Sequence, residues 1–365
     1  MFDILERFCL DGKAVSCKPY GSGHINRTHL VTTERGHAYI LQKINDDVFQ
    51  DVSALMHNIS SVTRHLRAAG LDERHVLTLV PADDGAEYIF FDNGETEKAG
   101  YYRVYEFISD GLSLDHPENE WVFRQSALAF GRFQMQLKDF PAATLAQTIP
   151  KFHDTIDRYR LLRRAIDADA LGRAAGVARE IDFALERERY AGCMLRMLEC
   201  GELPLRVTHN DTKLNNVVFD AATREPLCVV DLDTVMPGLS GNDFGDSIRF
   251  GASGGAEDER DLDKIGLCLP LFRAYANGFL SACGEALTPA EIETLPLAAL
   301  LMTLECGVRF LTDYLEGDAY FRIHRPEHNL DRARTQFKLV ADLERKRDAM
   351  QSIIREEAKC VRRKG

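Results

Sequence analysis

His209-Asn210-Asp211-Thr212-Lys213-Leu214-Asn215-Asn216 is followed a short way on by Val229-Val230-Asp231-Leu232-Asp233. Between them Val217-Val218-Phe219 reads as a strand, Asp220 to Arg224 as a turn, and Leu227 to Val230 as a second strand that ends in an acid. This layout suits phosphoryl transfer, where a protein mainly positions reactants and neutralises charge. Asp211 is placed as the catalytic base that accepts a hydroxyl proton. Asn216 and Asp231 offer one neutral and one charged oxygen to Mg²⁺, a hard cation that completes its shell with phosphates and water. An isolated H-x-D or an Asp-Asn loop often does no more than shape a turn. The reading rests on the whole set in its strand-turn-strand setting.

The chain has 365 residues, 45% of them hydrophobic, enough for two domains or one bilobal body. A net charge of −12 speaks against nucleic acid as the main partner. It does not speak against ATP, whose phosphates are met by local loops and a cation. No stretch reads as the roughly 20 apolar residues of a membrane span, and the first seven residues lack the features of a secretory signal. The expectation is a cytoplasmic protein with no membrane partner, its oligomeric state open. Nine scattered cysteines without a C-x-x-C read as buried free thiols.

Texture changes near residue 108. Before it, Arg27 to Thr33 and Ala38 to Ile44 form a plausible hairpin about Glu34-Arg35-Gly36. A helix is expected over Asp51 to Ala69, and strands over Val76 to Pro81, Glu87 to Phe91 and Tyr101 to Ile108. After Ser109-Asp110-Gly111 the pattern is helical. Phe123, Ala127, Phe130, Phe133 and Leu137 make a buried stripe within Asn119 to Phe140. Further helices are expected over about 179–199, 261–281, 289–316 and 329–359. Residues 1–108 are thus expected as a nucleotide-binding lobe, and 109–365 as a helical lobe carrying the catalytic loop, metal and acceptor sites.

Tyr20-Gly21-Ser22-Gly23 precedes the hairpin. In Gly21, Ser22 and Gly23 the two glycines would let main-chain amides approach phosphates, although no G-K-[ST] of a Walker loop follows. On Tyr39-Ile40-Leu41-Gln42-Lys43, alternation puts Gln42 toward the nucleotide and Lys43 on the other face. A neutral residue there leaves the phosphates to amides and metal. Asp51 and Asn58 are both candidates for the polar partner on the inserted helix. Glu106 and Ile108, at the end of the last strand, are assigned to adenine by position.

These motifs resemble the aminoglycoside phosphotransferase and choline kinase superfamily, and within it the bacterial N-acetylhexosamine 1-kinases. The likeness runs through Tyr20 to Asn26, Tyr39 to Gln42, Phe152-His153-Asp154-Thr155, Leu205 to Asn216, Asp231 to Thr234, Asp243 to Gly251 and Arg309 to Tyr320. It implies an α+β, bilobal protein-kinase-like fold, with a small antiparallel-sheet N-lobe and a larger, mainly helical C-lobe. It also implies an ATP- and Mg²⁺-dependent kinase acting on the anomeric hydroxyl of a small-molecule sugar acceptor. The sugar contacts that carry over are His24, Asn26, Asp211, Arg309 and Tyr320.

Several roles stay open on the residues alone. Asp233, two positions after Asp231 on an expected extended strand, is assigned to the metal, with an acceptor contact as the alternative. Arg309 either lines the pocket or pairs with Asp313 one turn on. His153 and Asp154 read as a helix cap, and Asp243, Asp246 and Arg249 as a charged network bracing the loop. Aminoglycoside, choline or homoserine remain possible acceptors. The neutral Gln42 leaves room for a non-catalytic nucleotide-binding regulator.

Overall fold

The computed structural model describes residues 1–21, 25–94 and 98–362, with Arg362 described by its main chain alone. Ser22, Gly23 and His24, assigned above to nucleotide and acceptor, lie outside the described residues. The first part contains α1 (Phe2–Leu5), β1 (Ala14–Pro19), β2 (Arg27–Thr33), β3 (Ala38–Lys43), α2 (Val52–Ala68), β4 (Leu79–Val80), β5 (Ile89–Phe91) and β6 (Gly100–Glu106). Among the described residues these strands make one antiparallel sheet in the order β1-β2-β3-β6-β4, with β5 also paired to β6. The hairpin falls where its turn residues put it, with Gly36 at φ 83°, a region open to glycine. β1 was not legible. It is a half-exposed edge strand ending in Pro19, and an edge tolerates proline and weak alternation.

The second part contains β7 (Gly111–Leu112), α3 (Glu120–Gln136), α4 (Thr155–Ala168), α5 (Ala178–Glu186), α6 (Cys193–Glu199), β8 (Arg206–Thr208), β9 (Val217–Asp220), β10 (Pro226–Val229) and β11 (Met236–Gly238). It continues with α7 (Ser240–Gly251), α8 (Leu269–Cys283), α9 (Pro289–Glu316), α10 (His328–Arg345) and α11 (Arg347–Arg362). Two small sheets, β10-β9-β7 and β11-β8, frame the catalytic loop. This is the mixed fold expected, an antiparallel-sheet N-terminal part and a helical C-terminal part.

The core beneath that loop is aromatic. Phe123, Phe130, Phe244, Phe272, Tyr275 and Phe279 are all 1% exposed or less. α3 and α8 meet nearly backbone to backbone. A Cβ on Gly278 would stand 2.4 Å from the Arg124 carbonyl, and one on Gly131 2.7 Å from Ala282 Cβ.

Three expected helices are broken, each for a local reason. The 179–199 stretch divides at Gly192, which enters α6 at φ 69°. The 261–281 stretch begins as a short 3₁₀ turn, and α8 starts at Leu269 with proline in its first turn. The 329–359 stretch breaks at Lys346. There Asp342 takes the Leu267 N–H at 2.7 Å and Lys346 Nζ the Leu267 carbonyl at 2.7 Å, so the junction is tied to the neighbouring loop. Two other expectations are corrected. All nine cysteines are free, but only Cys228 and Cys283 are buried. α9 is long and apolar enough to cross a membrane by length and composition, with 83% of its most apolar window buried inside the protein.

A buried polar side chain on α2 ties it to the second part. Asn58, fully buried, donates to the carbonyls of Ala146 at 2.8 Å and Val235 at 2.9 Å, and accepts from the Ala146 N–H at 2.9 Å. Asp51, the other candidate on this helix, is its N-cap and accepts from Ala54 N. Asn58→Ala strands buried main-chain groups at about 1–3 kcal/mol each. We expect a stability loss of roughly 3 kcal/mol in urea denaturation, with an unchanged m-value. Wild-type stability would show that this tie does not hold the two parts together.

Candidate active site

The loop between β8 and β9 is held by an unusually complete set of side chains. Each main-chain N–H and C=O from His209 to Thr212 has a side-chain partner. Asp243 accepts from the N–H groups of His209 and Asn210 at 3.0 and 2.8 Å, and Thr234 Oγ1 donates to the His209 carbonyl at 2.7 Å. Asp246 accepts from Thr212 N at 3.0 Å, and Ser247 Oγ donates to the Thr212 carbonyl at 2.8 Å. Asn216 Nδ2 donates to the Asp211 carbonyl at 2.7 Å. Asp211 N donates to His209 Nδ1 at 3.3 Å, and His209 Nε2 meets the Val230 carbonyl at 2.9 Å. These partners require the Nε2–H tautomer. Asn210 can follow this path only at φ 64°, a region asparagine tolerates better than most residues.

Asp243 is buried, which raises its carboxyl pKa, while His209 and the loop amides act in the opposite direction. Arg249 pairs with Asp246 at 2.9 Å and with Glu257 at 2.6 Å. The expected bracing network is therefore present, on α7.

Asp211 sits between Lys213 Nζ, 2.8 Å from Oδ1, and Asn216 Nδ2, 3.1 Å from Oδ2. Desolvation alone would raise its carboxyl, but the charge and hydrogen bond of Lys213, with help from His209 and Asn216, hold it below the usual range. Lys213 lies inside the motif, yet its part in keeping Asp211 ionised was not anticipated.

Asp231, just past β10, opens the next turn at φ 60° and ψ 59°, a strained setting for a non-glycine residue. The Val230 N–H donates to the Asn216 carbonyl at 2.9 Å, which joins the two segments that carry Asn216 and Asp231. Desolvation in the cleft, then the charges of Asp233 and Asp211, push the Asp231 carboxyl upward. Its side chain is open to solvent, so crowding by like charge is the more important cause. Such a site fits a divalent cation. Among the described residues Asp231 has no ion-pair partner, and the hydrogen bonds of the Asn216 amide are both on Nδ2. Among the described residues no group of three or more His, Cys, Asp or Glu side chains forms a metal cage. A two-oxygen site is what Mg²⁺ shared with nucleotide phosphates uses.

Asp233 is not on an extended strand, as expected above, but in a 3₁₀ turn over Leu232–Thr234. It is a junction between the two parts. Oδ1 pairs with Arg103 at 2.6 Å, and Oδ2 accepts from Asn26 Nδ2 at 2.6 Å. Thr148 Oγ1 donates to its carbonyl at 3.0 Å. Asn26 Oδ1 in turn accepts from Asn45 N at 3.0 Å, so both ends of the Asn26 amide are engaged.

Arg103 was missed. It faces Gln42 across the β3–β6 pairing, and Gln42 Oε1 accepts from its Nε and Nη2 at 3.0 and 2.8 Å. Thr28 Oγ1 accepts from Gln42 Nε2 at 3.1 Å. Gln42 therefore orients a buried arginine of the neighbouring strand, a pairing no single strand reveals. Lys43 lies on the other face, against Gly100.

At the nucleotide side, Gly21 has φ 77° with open space where a Cβ would stand. Tyr20 packs edge-on against Phe107 at 5.8 Å. Glu106 closes β6, and its carboxyl is raised by partial burial and by Glu73. Ile108 packs into the core shared by α2 and α3.

At the acceptor side the Arg309–Asp313 pairing does not form. Asp313 accepts from the N–H groups of Tyr320 and Phe321 at 2.8 and 2.9 Å and from Asn329 at 2.8 Å. Arg309 instead lies among the rings of Phe152, Tyr320 and Phe321, at 5.5, 5.7 and 5.2 Å from their centroids. Its Nη2 is 3.5 Å from the Tyr320 hydroxyl. Asp154 caps α4 as expected. His153 does not cap it, and reaches the catalytic loop through Nε2, 3.3 Å from the Asn210 carbonyl.

Arg103 and Asp233 are 2% and 4% exposed at their side chains. Removing one member of a buried ion pair costs about 3–5 kcal/mol. Arg103→Met is expected to destabilise the protein by that amount, about 3–5 kcal/mol, and the double variant R103M/D233N to recover part of the loss. Additive losses in a double-mutant cycle by chemical denaturation would refute the pairing.

The model of the APH phosphotransferase enzyme family matches residues 16–276. Among solved structures, a microcompartment-associated aminopropanol kinase is similar over 96% of this chain and 97% of its own, at TM-score 0.59 and 16% identity. An aminoglycoside phosphotransferase from Alicyclobacillus acidocaldarius aligns over 98% and 96%, at TM-score 0.58 and 14% identity. An amicoumacin kinase in complex with AMP-PNP, Ca²⁺ and Ami aligns over 88% and 87%, at TM-score 0.58 and 15% identity. At such identities the structures speak for the fold, and the family match over most of the chain carries the assignment: this chain belongs to the APH phosphotransferase enzyme family.

Proposed function

We propose that this protein is an ATP-dependent kinase that phosphorylates the C1 hydroxyl of N-acetylhexosamines such as GlcNAc and GalNAc. The observation that carries the kinase reading is Asp211 held between Lys213 and Asn216, with Asp231 tied to the same loop. A divalent cation, Mg²⁺ in this reading, would be held by Asn216 and Asp231 and would supply charge neutralisation for the phosphates. Asp233 is better understood as the junction with Arg103 and Asn26 than as a metal ligand. Gly21, Ser22, Gly23, Glu106 and Ile108 remain the assigned nucleotide contacts. Gln42 acts at one remove, by holding Arg103.

The chemistry at Asp211 follows from its surroundings. The acceptor oxygen forms its bond to the γ-phosphorus as the bond to the departing ADP oxygen breaks, and the hydroxyl proton passes to Asp211. A carboxylate kept ionised by Lys213 is a weak base. That suffices where the transition state is loose and the proton leaves late. Its larger contribution is to aim the hydroxyl.

The acceptor class rests on Arg309. Among the described residues no carboxylate pairs with it, and it stands with the exposed Tyr320 hydroxyl. A guanidinium and a phenol suit the hydroxyls and acetamide carbonyl of a neutral sugar. An ammonium acceptor, as in an amino alcohol, would meet like charge there.

A coupled-ADP screen over free hexosamines, amino alcohols, choline and aminoglycosides tests this. N-acetylhexosamines are expected to turn over, their methyl glycosides to be inert, and phosphate to appear on C1 by ³¹P–¹H correlation NMR. Phosphate on C6 would overturn the anomeric reading alone, and turnover of amino alcohols without sugars would overturn the acceptor class. Asp211→Asn is expected to keep ATP binding and lose about 10²–10⁴-fold in kcat. Near-wild-type kcat would remove Asp211 as the base.

A further inference from the structure

Asp211 can serve only if its side chain is aimed at the acceptor, and besides Lys213 and Asn216 the peptide bond joining it to Asn210 helps to set that direction. A peptide unit is planar, so fixing its oxygen and its nitrogen fixes the plane. Both ends of this unit are held by histidines. His209 Nδ1 accepts from the Asp211 N–H at 3.3 Å, and His153 Nε2 meets the Asn210 carbonyl at 3.3 Å. The first contact comes from the loop itself. The second comes from outside it, from the segment that leads into α4.

His153 is backed by Glu305 of α9, whose Oε1 is 3.0 Å from Nδ1. A carbonyl and a carboxylate can only accept, so both ring nitrogens of His153 donate. The side chains of His153 and Glu305 are 13% and 2% exposed, and Glu305 Oε2 is buried without a hydrogen-bond partner. A buried pair of this kind is weak evidence for stability. Its geometric effect is clear. It hands a fixed donor to the one carbonyl from His209 to Thr212 that Thr234, Asn216 and Ser247 leave unheld. Arg309 lies one turn beyond Glu305 on α9, and its ring partner Phe152 lies against His153 at 4.6 Å with the rings tilted by 52°. The acceptor side and the catalytic loop are therefore joined through this pair.

We infer that His153, backed by Glu305, is a positioning residue that clamps the Asn210–Asp211 peptide plane and so aims the Asp211 carboxylate at the acceptor hydroxyl. This rests on the reading of Asp211 as catalytic base. His153→Phe removes the donor and keeps a ring against Phe152. It is expected to lower kcat by about 10²-fold, the scale of a misplacement near 1 Å, and to leave KM for ATP unchanged. Because H153F buries Glu305 without its partner, H153F/E305L is made beside it. The double variant is expected to regain thermal stability and to show the same loss of kcat.

Wild-type kcat in folded H153F/E305L would overturn the proposal. In a cycle with Asp211→Asn, the His153→Phe loss should vanish once the base is gone. A full further loss on that background would also overturn it, by assigning His153 an effect apart from Asp211. If D211N itself keeps wild-type kcat, the base assignment fails instead, and the two failures are told apart. Independently of activity, ¹⁵N-histidine NMR of the wild type, assigned against H153F, should show a proton on Nε2 of His153. An unprotonated Nε2 would remove the clamp.

Discussion

Like charge in a narrow cleft is the constraint from which most of this site follows. Asp211, Asp231 and Asp233 are close enough to perturb one another, and such a group is stable only if each member finds a partner. The protein gives each a different one. Asp211 receives Lys213 from its own loop. Asp233 receives Arg103 from the opposite sheet. Among the described residues Asp231 has no ion-pair partner, the setting that the proposed metal role draws on.

The Arg103–Asp233 pair also joins the two parts of the chain. Its guanidinium is oriented by Gln42, and Gln42 by Thr28 one strand further out. Asn26, at the exit of the glycine-containing loop, holds the other oxygen of Asp233. Asn58 makes a second tie from α2 to the main chain on either side of the site. The N-terminal sheet is thus coupled to the Asp231–Thr234 turn by directional contacts rather than by apolar packing alone. A neutral residue at position 42 thus serves structure here, its amide oxygen orienting the buried Arg103 that pairs with Asp233.

The catalytic loop shows the same economy at smaller scale. Asp243 serves two successive amides, and Asp246 serves a third while pairing with Arg249. With Asn210 held in a left-handed conformation, free peptide groups nearby would let the loop relax. Satisfying them with side chains from α7, the Asp231–Thr234 turn and the segment before α4 makes the strained path the stable one.

The local layout was readable in the chain. The spacing of Asp211, Asn216 and Asp231, the hairpin about Gly36, α2 with its Asp51 cap, and α9 over Pro289–Glu316 all follow from short-range rules of pattern, turn and capping. Such features need only neighbours within a few residues. Tertiary structure decided what depends on distant partners. Arg103 looks like any strand residue until β6 is laid beside β3. Asp233 follows Asp231 by two positions, yet a 3₁₀ turn sends it to Arg103 and Asn26. Arg309 has an acid one turn away and does not use it, because the main chain at Tyr320 and Phe321 claims Asp313 first. His153 reads as a cap and instead grips the carbonyl of Asn210, more than fifty residues on. In each case the competing partners lie far apart in the chain, and only folding ranks them.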